Sequence, residues 1–420
     1  MKRLICVIAA ASVLLAGCGS SDDKSADTKE PAGAVIHVPG DYGSIQEAVR
    51  KAKQGDLVLV DKGVYKEEVN VETPGITVRG VDRNETILDG EFQRENGIKV
   101  FSNNVAVENM TARNYKANGF FFTGDYSKES GSDKVLDGFR LSYLTAYNNG
   151  LYGLYVFNAK NGVIEHSYGS GHPDSAVYIG QCDPCNALIT DIKAEYNMLG
   201  YSGTNSTGVT IINSTFQNNR AGIVPNSLHG EAHAPNNGTH IVGNKVFNNN
   251  SDVAPKSPSA SDFNIAYGNG IVLAGVSHNV VERNLVTGHK GAGIAITDLP
   301  EKFKPEGNQV KNNTLSQNVY DLAYLIANFS SMSFQNCFEG NKIATEIPAG
   351  LQEKGKCGGA ETDLGDASNI KLPEAPPEQD WKTRPIPPPQ PNMPDATTAP
   401  ATKVGPPESV DTDAIQTPSA

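Results

Sequence analysis

The ionisable and amide side chains of this chain crowd into residues 165–205. Glu165, His166, His172, Asp174, Tyr178, Gln181, Asp183, Asp191, Glu195, Tyr201 and Asn205 all fall there. Carboxyl and imidazole groups held together suit proton transfer: one protonates a leaving oxygen while another takes a proton from a carbon beside a carboxylate. His172 and Asp174 on one repeat, with Asp183 on the next, are the expected catalytic set. Lys116, Arg220 and Lys290 on neighbouring repeats are the cations that would neutralise an acidic sugar. A second set is suited to holding rather than converting. Tyr155 and Tyr178 supply flat apolar rings, and Asn158, Gln181 and Asn205 supply amide donors and acceptors, the combination a sugar-binding groove needs. The competing role for the same residues is structural, with the amides laddered inside the turns and the tyrosines covering a sheet.

A repeated phrase must position these residues: an aliphatic strand, an Asn-rich turn, and a restart at Gly. It reads VENMTARNYKANGF at 107–120, IEHSYGSGHPDSAV at 164–177 and INSTFQNNRAGI at 212–223, and returns at 281–294 and 310–322. Anchors at Asn109, Tyr143, His166 and Asp191 are spaced by 34, 23 and 25 residues. The two shorter spacings match one coil of a single-stranded right-handed parallel β-helix, and the longer one carries an insertion. The expected fold is therefore all-β, one solenoid over 34–345, with a short capping helix begun at Ser44 and ended at Gly55. Residues 346–372 are expected to close its C-terminal end. Aligned on the strand after each Gly, Phe121, Tyr155 and Tyr178 share one column, and Asn158, Gln181, Asn205, Ser227 and Asp298 another. Coils about 4.8 Å apart make each column a ladder.

The ends differ from the middle. Residues 1–17 join Lys2 and Arg3 to an apolar run, the pattern of a signal peptide rather than a membrane span. Leu15-Ala16-Gly17-Cys18 resembles the bacterial lipoprotein lipobox, which implies cleavage before Cys18, lipidation of that cysteine and an extracytoplasmic, membrane-anchored protein. Residues 18–33 then read as a flexible linker. Losing Lys2 and Arg3 takes the formal charge from −12 to −14, which argues against nucleic acid as a partner. Thirteen of the chain's 25 prolines lie between 373 and 418, so 373–420 is expected to be a disordered or polyproline-type tail, available to a protein partner. Trp381, the only tryptophan, is either an anchor docking that tail or an exposed aromatic.

With Cys6 in the leader and Cys18 lipidated, Cys182, Cys185, Cys337 and Cys357 should be oxidised outside the cytoplasm. Of three connectivities, the local pairs 182–185 and 337–357 are the simplest. Cys182-Asp183-Pro184-Cys185 then rigidifies a turn; a zinc or copper site would need further ligands, such as His172 and His229. No metal or other cofactor is expected. Calcium on Asp174, Asp183 or Asp191 lacks a spaced Asp motif.

The opening SIQEAV, GDLVLVDKGVYKEEVNV and ITVRG resemble the first coils of the pectin lyase-like right-handed β-helix superfamily, over about 34–345. The resemblance implies the fold and a polysaccharide partner. The superfamily's catalytic signatures are absent from the coils: no DFIFG or GRPW of the methylesterases, no RIK of the polygalacturonases and no DPHE of the mannuronan epimerases, which His172-Pro173-Asp174 only echoes. The Asn-Asn-Gly repeats are also similar to periplasmic accessory proteins of nitrous oxide reductase. Polysaccharide binding along the solenoid is therefore the first expectation. A lyase or uronate epimerase is the second, and a scaffold or assembly factor the third.

Overall fold

The computed structural model describes residues 33–253, 255–256, 266–298, 303–365, 367 and 370–419. The expected leader, Cys18 and nearly all of the linker lie outside the described residues. The chain winds through three parallel sheets in turn. The first has 12 strands, from Val35–Val38 to Cys337–Glu339; the second has 10, from Gly63–Tyr65 to Thr314–Ser316; the third has 11, from Val69–Val71 to Glu346–Ile347. This is the right-handed parallel β-helix expected from the repeat. One coil comprises Ala159–Glu165, Tyr168–Ser170 and Ser175–Gly180, and the next Ala187–Thr190, Lys193–Glu195 and Leu199–Thr204. Alternation along each strand sends one set of side chains inward. Val177, Ile179, Leu154 and Val156 are fully buried in a core running the length of the stack.

The corners explain the Asn-Asn pairs. At each bend the chain must turn sharply, and one residue takes the left-handed conformation that Asn tolerates better than most. Between the second and third sheets that residue is Asn148, Gly171, Tyr196, Asn218, Asn248, Gly288 and Gln317 on successive coils. The residue after it points inward and forms a rung: Asn149, His172, Asn197, Asn219, Asn249, His289 and Asn318. Asn197 Nδ2 donates to Asn219 Oδ1 (2.9 Å) and Asn219 Nδ2 to Asn249 Oδ1 (3.0 Å), each amide also bonding main chain. A parallel ladder at the corner between the first and second sheets runs Ser214, Asn244, Asn284, Asn313 and Asn341. Buried polar groups are tolerated here because every coil supplies the partner of the next.

Both ends are closed. Ser44 accepts from Glu47 N (3.1 Å) and starts a helix, Ile45–Lys51, whose Ile45, Ala48 and Val49 join the core over the first coil. At the other end Leu351 and Leu364 pack on Phe338, beside the Cys337–Cys357 disulfide; Cys182–Cys185 is also formed.

Of the two forms expected for the proline-rich tail, disordered or polyproline-type, the structure favours an ordered, extended segment over a disordered one. It lies on the outside of the solenoid. Trp381 is 5% exposed, edge-on to Phe92 (5.1 Å), so it is the anchor rather than a free aromatic. Hydrogen bonds continue from Arg384 O, which accepts from Asn148 (3.0 Å), to Ile415 O, which accepts from Arg283 (2.8 Å). The prolines remove some of the tail's N–H groups, and the solenoid supplies donors for many of its carbonyls.

Candidate functional site

The register places the predicted aromatic column on the outer face of the third sheet and extends it. Lys99 pairs with Phe121, Phe121 with Tyr155 and Tyr155 with Tyr178, followed by Ser202 on the next coil. Phe121 and Tyr155 stack at 4.5 Å, Tyr152 stacks on Tyr155 at 4.4 Å, and Tyr178 meets Tyr155 edge-on at 4.9 Å. The Lys99 ammonium sits 5.0 Å from the Phe121 ring centre and 4.7 Å from that of Phe101, a cation–π placement. Gly180 gives Tyr178 its room: a Cβ there would lie 2.4 Å from the Tyr178 hydroxyl.

Asp174 enters this cluster from the corner leading into Ser175–Gly180. It is 4% exposed, accepts from Ser175 Oγ (3.3 Å) and from the Tyr152 hydroxyl, and burial pushes its carboxyl up to about 7. Burial likewise raises the phenols of Tyr152, Tyr155 and Tyr178, with the charge of Asp174 adding to each. The charge of Glu231, on the exposed loop after Ala221–Asn226, adds to the effect on Tyr155 and Tyr178. A carboxyl that titrates near neutrality is suited to accept and return a proton.

The other predicted residues are dispersed, for reasons visible in the coil. His172 follows the left-handed Gly171 and so points inward, as a rung. Its Nδ1 meets Asn197 Oδ1 (2.8 Å) and its Nε2 faces Asn149 Nδ2 (3.3 Å), while burial lowers its pKa to about 4. Both nitrogens are occupied within the core, and the imidazole is no catalytic partner for Asp174. Asp183 is exposed at the tip of the disulfide turn, beyond a strand of six residues from Asp174. That strand alone spans about 20 Å. The amide column is likewise not a groove. Asn158, Gln181 and Asn205 take φ values of 45°, 54° and 48° at the corner after the third sheet. Asn205 is bonded to the main chain of Leu228 in both directions (2.8 and 2.9 Å), Gln181 Oε1 accepts from Ala232 N (3.1 Å), and Asn158 donates to Asp133 (3.0 Å). These amides anchor the loops at 124–138 and 228–239. Of the predicted set, Asp174, Tyr155 and Tyr178 come together.

Tyr152, Lys99 and Glu231 were not singled out from the sequence. Tyr152 lies opposite Ser175 in register, so carrying the column alignment three residues back would have found it; Lys99 needed one further coil. Glu231 carries no periodic signal. Elsewhere, His166 Nδ1 and Asp191 Oδ2 lie 2.6 Å apart beneath Tyr143, on an exposed corner between the first and second sheets. Among the described residues no group of three or more His, Cys, Asp or Glu side chains is placed to hold a metal ion.

No protein-family model matches the chain, and no curated protein matches it. Solved structures do. The A-module of the mannuronan C-5 epimerase AlgE4 of Azotobacter vinelandii is 12% identical, with a TM-score of 0.48, over 75% of this chain and 93% of that one. Pectate lyase Pel9A is 12% identical, with a TM-score of 0.43, over 76% and 78%. A DFA-IIIase from Arthrobacter chlorophenolicus A6 is 11% identical, with a TM-score of 0.47, over 74% and 99%. The likeness is one of fold.

Proposed function

We propose that the protein binds a polysaccharide along the outer face of the third sheet, with the sugar chain running parallel to the solenoid axis. The observation that carries this is the unbroken column Lys99–Phe121–Tyr155–Tyr178, one residue per coil, flanked by Tyr152 and Asp174. A coil spacing of about 4.8 Å is comparable to the length of one sugar residue, so successive sugars meet successive coils. The half-buried Lys99, Phe121, Tyr152 and Tyr155 supply apolar contact and hydrogen bonds, and the buried Tyr178 and Asp174 back them from behind. Replacing Tyr155 by Ala should weaken polysaccharide binding about tenfold in calorimetric titration without altering the circular dichroism. Unchanged affinity for every polysaccharide bound by the wild type would remove the proposal.

A second reading, conversion rather than binding alone, is favoured by the near-neutral titration of Asp174. As a lyase or epimerase, the protein would use Asp174 to move a proton at the sugar held on the rings. Incubation with uronate polymers should then give unsaturated ends or altered uronate stereochemistry, lost in Asp174→Asn. Polymers recovered unchanged from the wild type would leave binding as the whole function.

We further propose that the mature protein is held at a bacterial membrane through acyl chains on Cys18, which supports recognition of cell-surface polysaccharide. Cys18→Ser should abolish labelling by radioactive palmitate and move the protein from the membrane to the soluble fraction. A labelled, membrane-bound Ser variant would refute the assignment.

A further inference from the structure

The face opposite the tail is organised to recognise a peptide main chain. Arg79, fully buried, pairs through Nε with Glu108 (2.8 Å). Its Nη1 donates to Ala399 O (2.7 Å), and its Nη2 donates to Pro400 O (2.9 Å) and Thr402 Oγ1 (3.2 Å). Glu108 accepts from that same threonine hydroxyl (2.7 Å). Arg83, 2% exposed, donates to Pro391 O (3.0 Å); Asn84 donates to Gln390 O (2.9 Å) and accepts from Gln390 N (2.8 Å). Seven coils further along, Arg283 donates to Thr412 O (2.6 Å) and Ile415 O (2.8 Å).

The pattern is main-chain recognition with a bias: carbonyls of the tail accept from the solenoid more often than its N–H groups donate, as those of Gln390, Met393 and Thr402 do to Asn84, Asn109 and Thr77 (each 2.8 Å). The solenoid presents mostly donors, chiefly guanidinium groups and amides, to tail carbonyls. A proline-rich chain suits such a surface, since proline lacks an N–H that would need a partner and holds the backbone extended before binding. The reach fits as well. From Thr402 to Thr412 an extended chain covers about 31 Å at roughly 3.1 Å per residue. Seven coil steps from Arg79 to Arg283 cover about 34 Å. Most of the contacts are to main-chain atoms; the Thr402 hydroxyl and the Asn392 amide oxygen, which accepts from Arg83 N, are the main exceptions.

We propose that the outer face of the first sheet, with its corner toward the second, is a binding groove for an extended proline-rich peptide, and that residues 385–416 are its resident and exchangeable occupant. Recognition chiefly through main-chain atoms makes the groove tolerant of side-chain sequence, so a proline-rich segment supplied by another chain competes for it. In the intact protein the tethered tail holds the groove at an effective concentration on the order of millimolar, which shields it from competitors.

The test keeps the full chain and adds a protease site between Leu372 and Pro373. The probe is a fluorescent synthetic peptide of residues 385–416. Before cleavage, micromolar probe should leave the anisotropy unchanged; after cleavage it should exchange with the released tail and bind. A probe with its non-proline side chains shuffled, Thr402 kept, should bind within about threefold. A probe with its prolines replaced by glycine should bind about tenfold more weakly, as should the original probe to cleaved Arg79→Ala. A probe carrying Thr402→Ala tests the Glu108 contact without touching the solenoid and should also lose about tenfold. Failure of millimolar probe to enter the cleaved protein, or loss of binding on shuffling with prolines kept, would overturn the proposal. So would equal affinity of the glycine-substituted probe.

Discussion

Asn219→Leu should lower the unfolding free energy by about 4 kcal/mol, read from urea denaturation. The leucine fills similar space but carries no amide. The buried N–H of Asn197, which donates to Asn219 Oδ1 (3.0 Å), is left without an acceptor, and Ala194 O loses the bond from Asn219 Nδ2 (3.0 Å). Each orphaned buried group costs about 1–3 kcal/mol, and interruption of the ladder affects the coils on both sides. Asn219→His, by contrast, should cost about 1 kcal/mol, because histidine already serves as a rung at 172 and 289. Those rings have room because Gly153 and Gly270 lie against them; Gly200 lies against Asn219 in the same way. Equal losses in the two variants would show that the ladder's hydrogen bonds contribute little.

The second large effect is on pH dependence, where two kinds of buried group pull in opposite directions. Burial lowers His172 and His289 to about 4, below the ordinary histidine value near 6.5. Between pH 6.5 and 4 the unfolded chain takes up protons that the folded chain refuses, so these rings remove stability as pH falls. Burial raises Asp174 to about 7, above its ordinary 3.8. Between pH 3.8 and 7 the folded chain holds the proton more tightly, so this carboxyl removes stability as pH rises, on the order of 4 kcal/mol by pH 7 and above. Two histidines outweigh one carboxyl, so the wild type still loses stability on acidification over pH 4–6.5, at about half the slope the histidines alone would give. His172→Asn with His289→Asn should unmask a fold that becomes more stable on acidification across this range. Asp174→Asn should do the reverse, raising stability at pH 8 while leaving acid sensitivity. Urea titrations from pH 4 to 8 decide it: a profile unmoved by either change would place both groups in contact with water.

The fold was legible because its signal is repeated. Spacings of 23 and 25 residues locate coils, and one register error would have scattered Phe121, Tyr155 and Tyr178, which the pairing instead aligns. The site was legible only in part. His172 attracted attention by its chemistry and its closeness to Asp174, yet Gly171-His172 occupies the same place in the coil as Asn148-Asn149 and Asn218-Asn219. A left-handed residue turns the next side chain inward, so the two neighbours at 172 and 174 face opposite sides of the wall. That inference needed the corner geometry, which composition does not carry. Asp183 was misplaced because adjacency in sequence was taken for convergence, although a full strand separates it from Asp174. How the tail docks was hardly legible, for a different reason. Its contacts are made chiefly by main-chain groups, which nearly every residue possesses, so little in its side chains distinguishes a docked strap from a free one; Trp381 marked the place where it is anchored.

The course of that tail alters how the stack should come apart. A solenoid is close to a one-dimensional chain of units, each held by its neighbours, and such a chain frays from its ends or opens at its weakest link. Here a single covalent strand is bonded near Arg79 and again near Arg283, seven coils away. Opening any coil between these points lengthens the path the strand must span, and it is already nearly extended. The tail therefore acts as a tension member, adding a long-range coupling to a structure otherwise governed by nearest neighbours. Loss of the tail would cost the intervening coils their cooperativity before it cost any of them their fold.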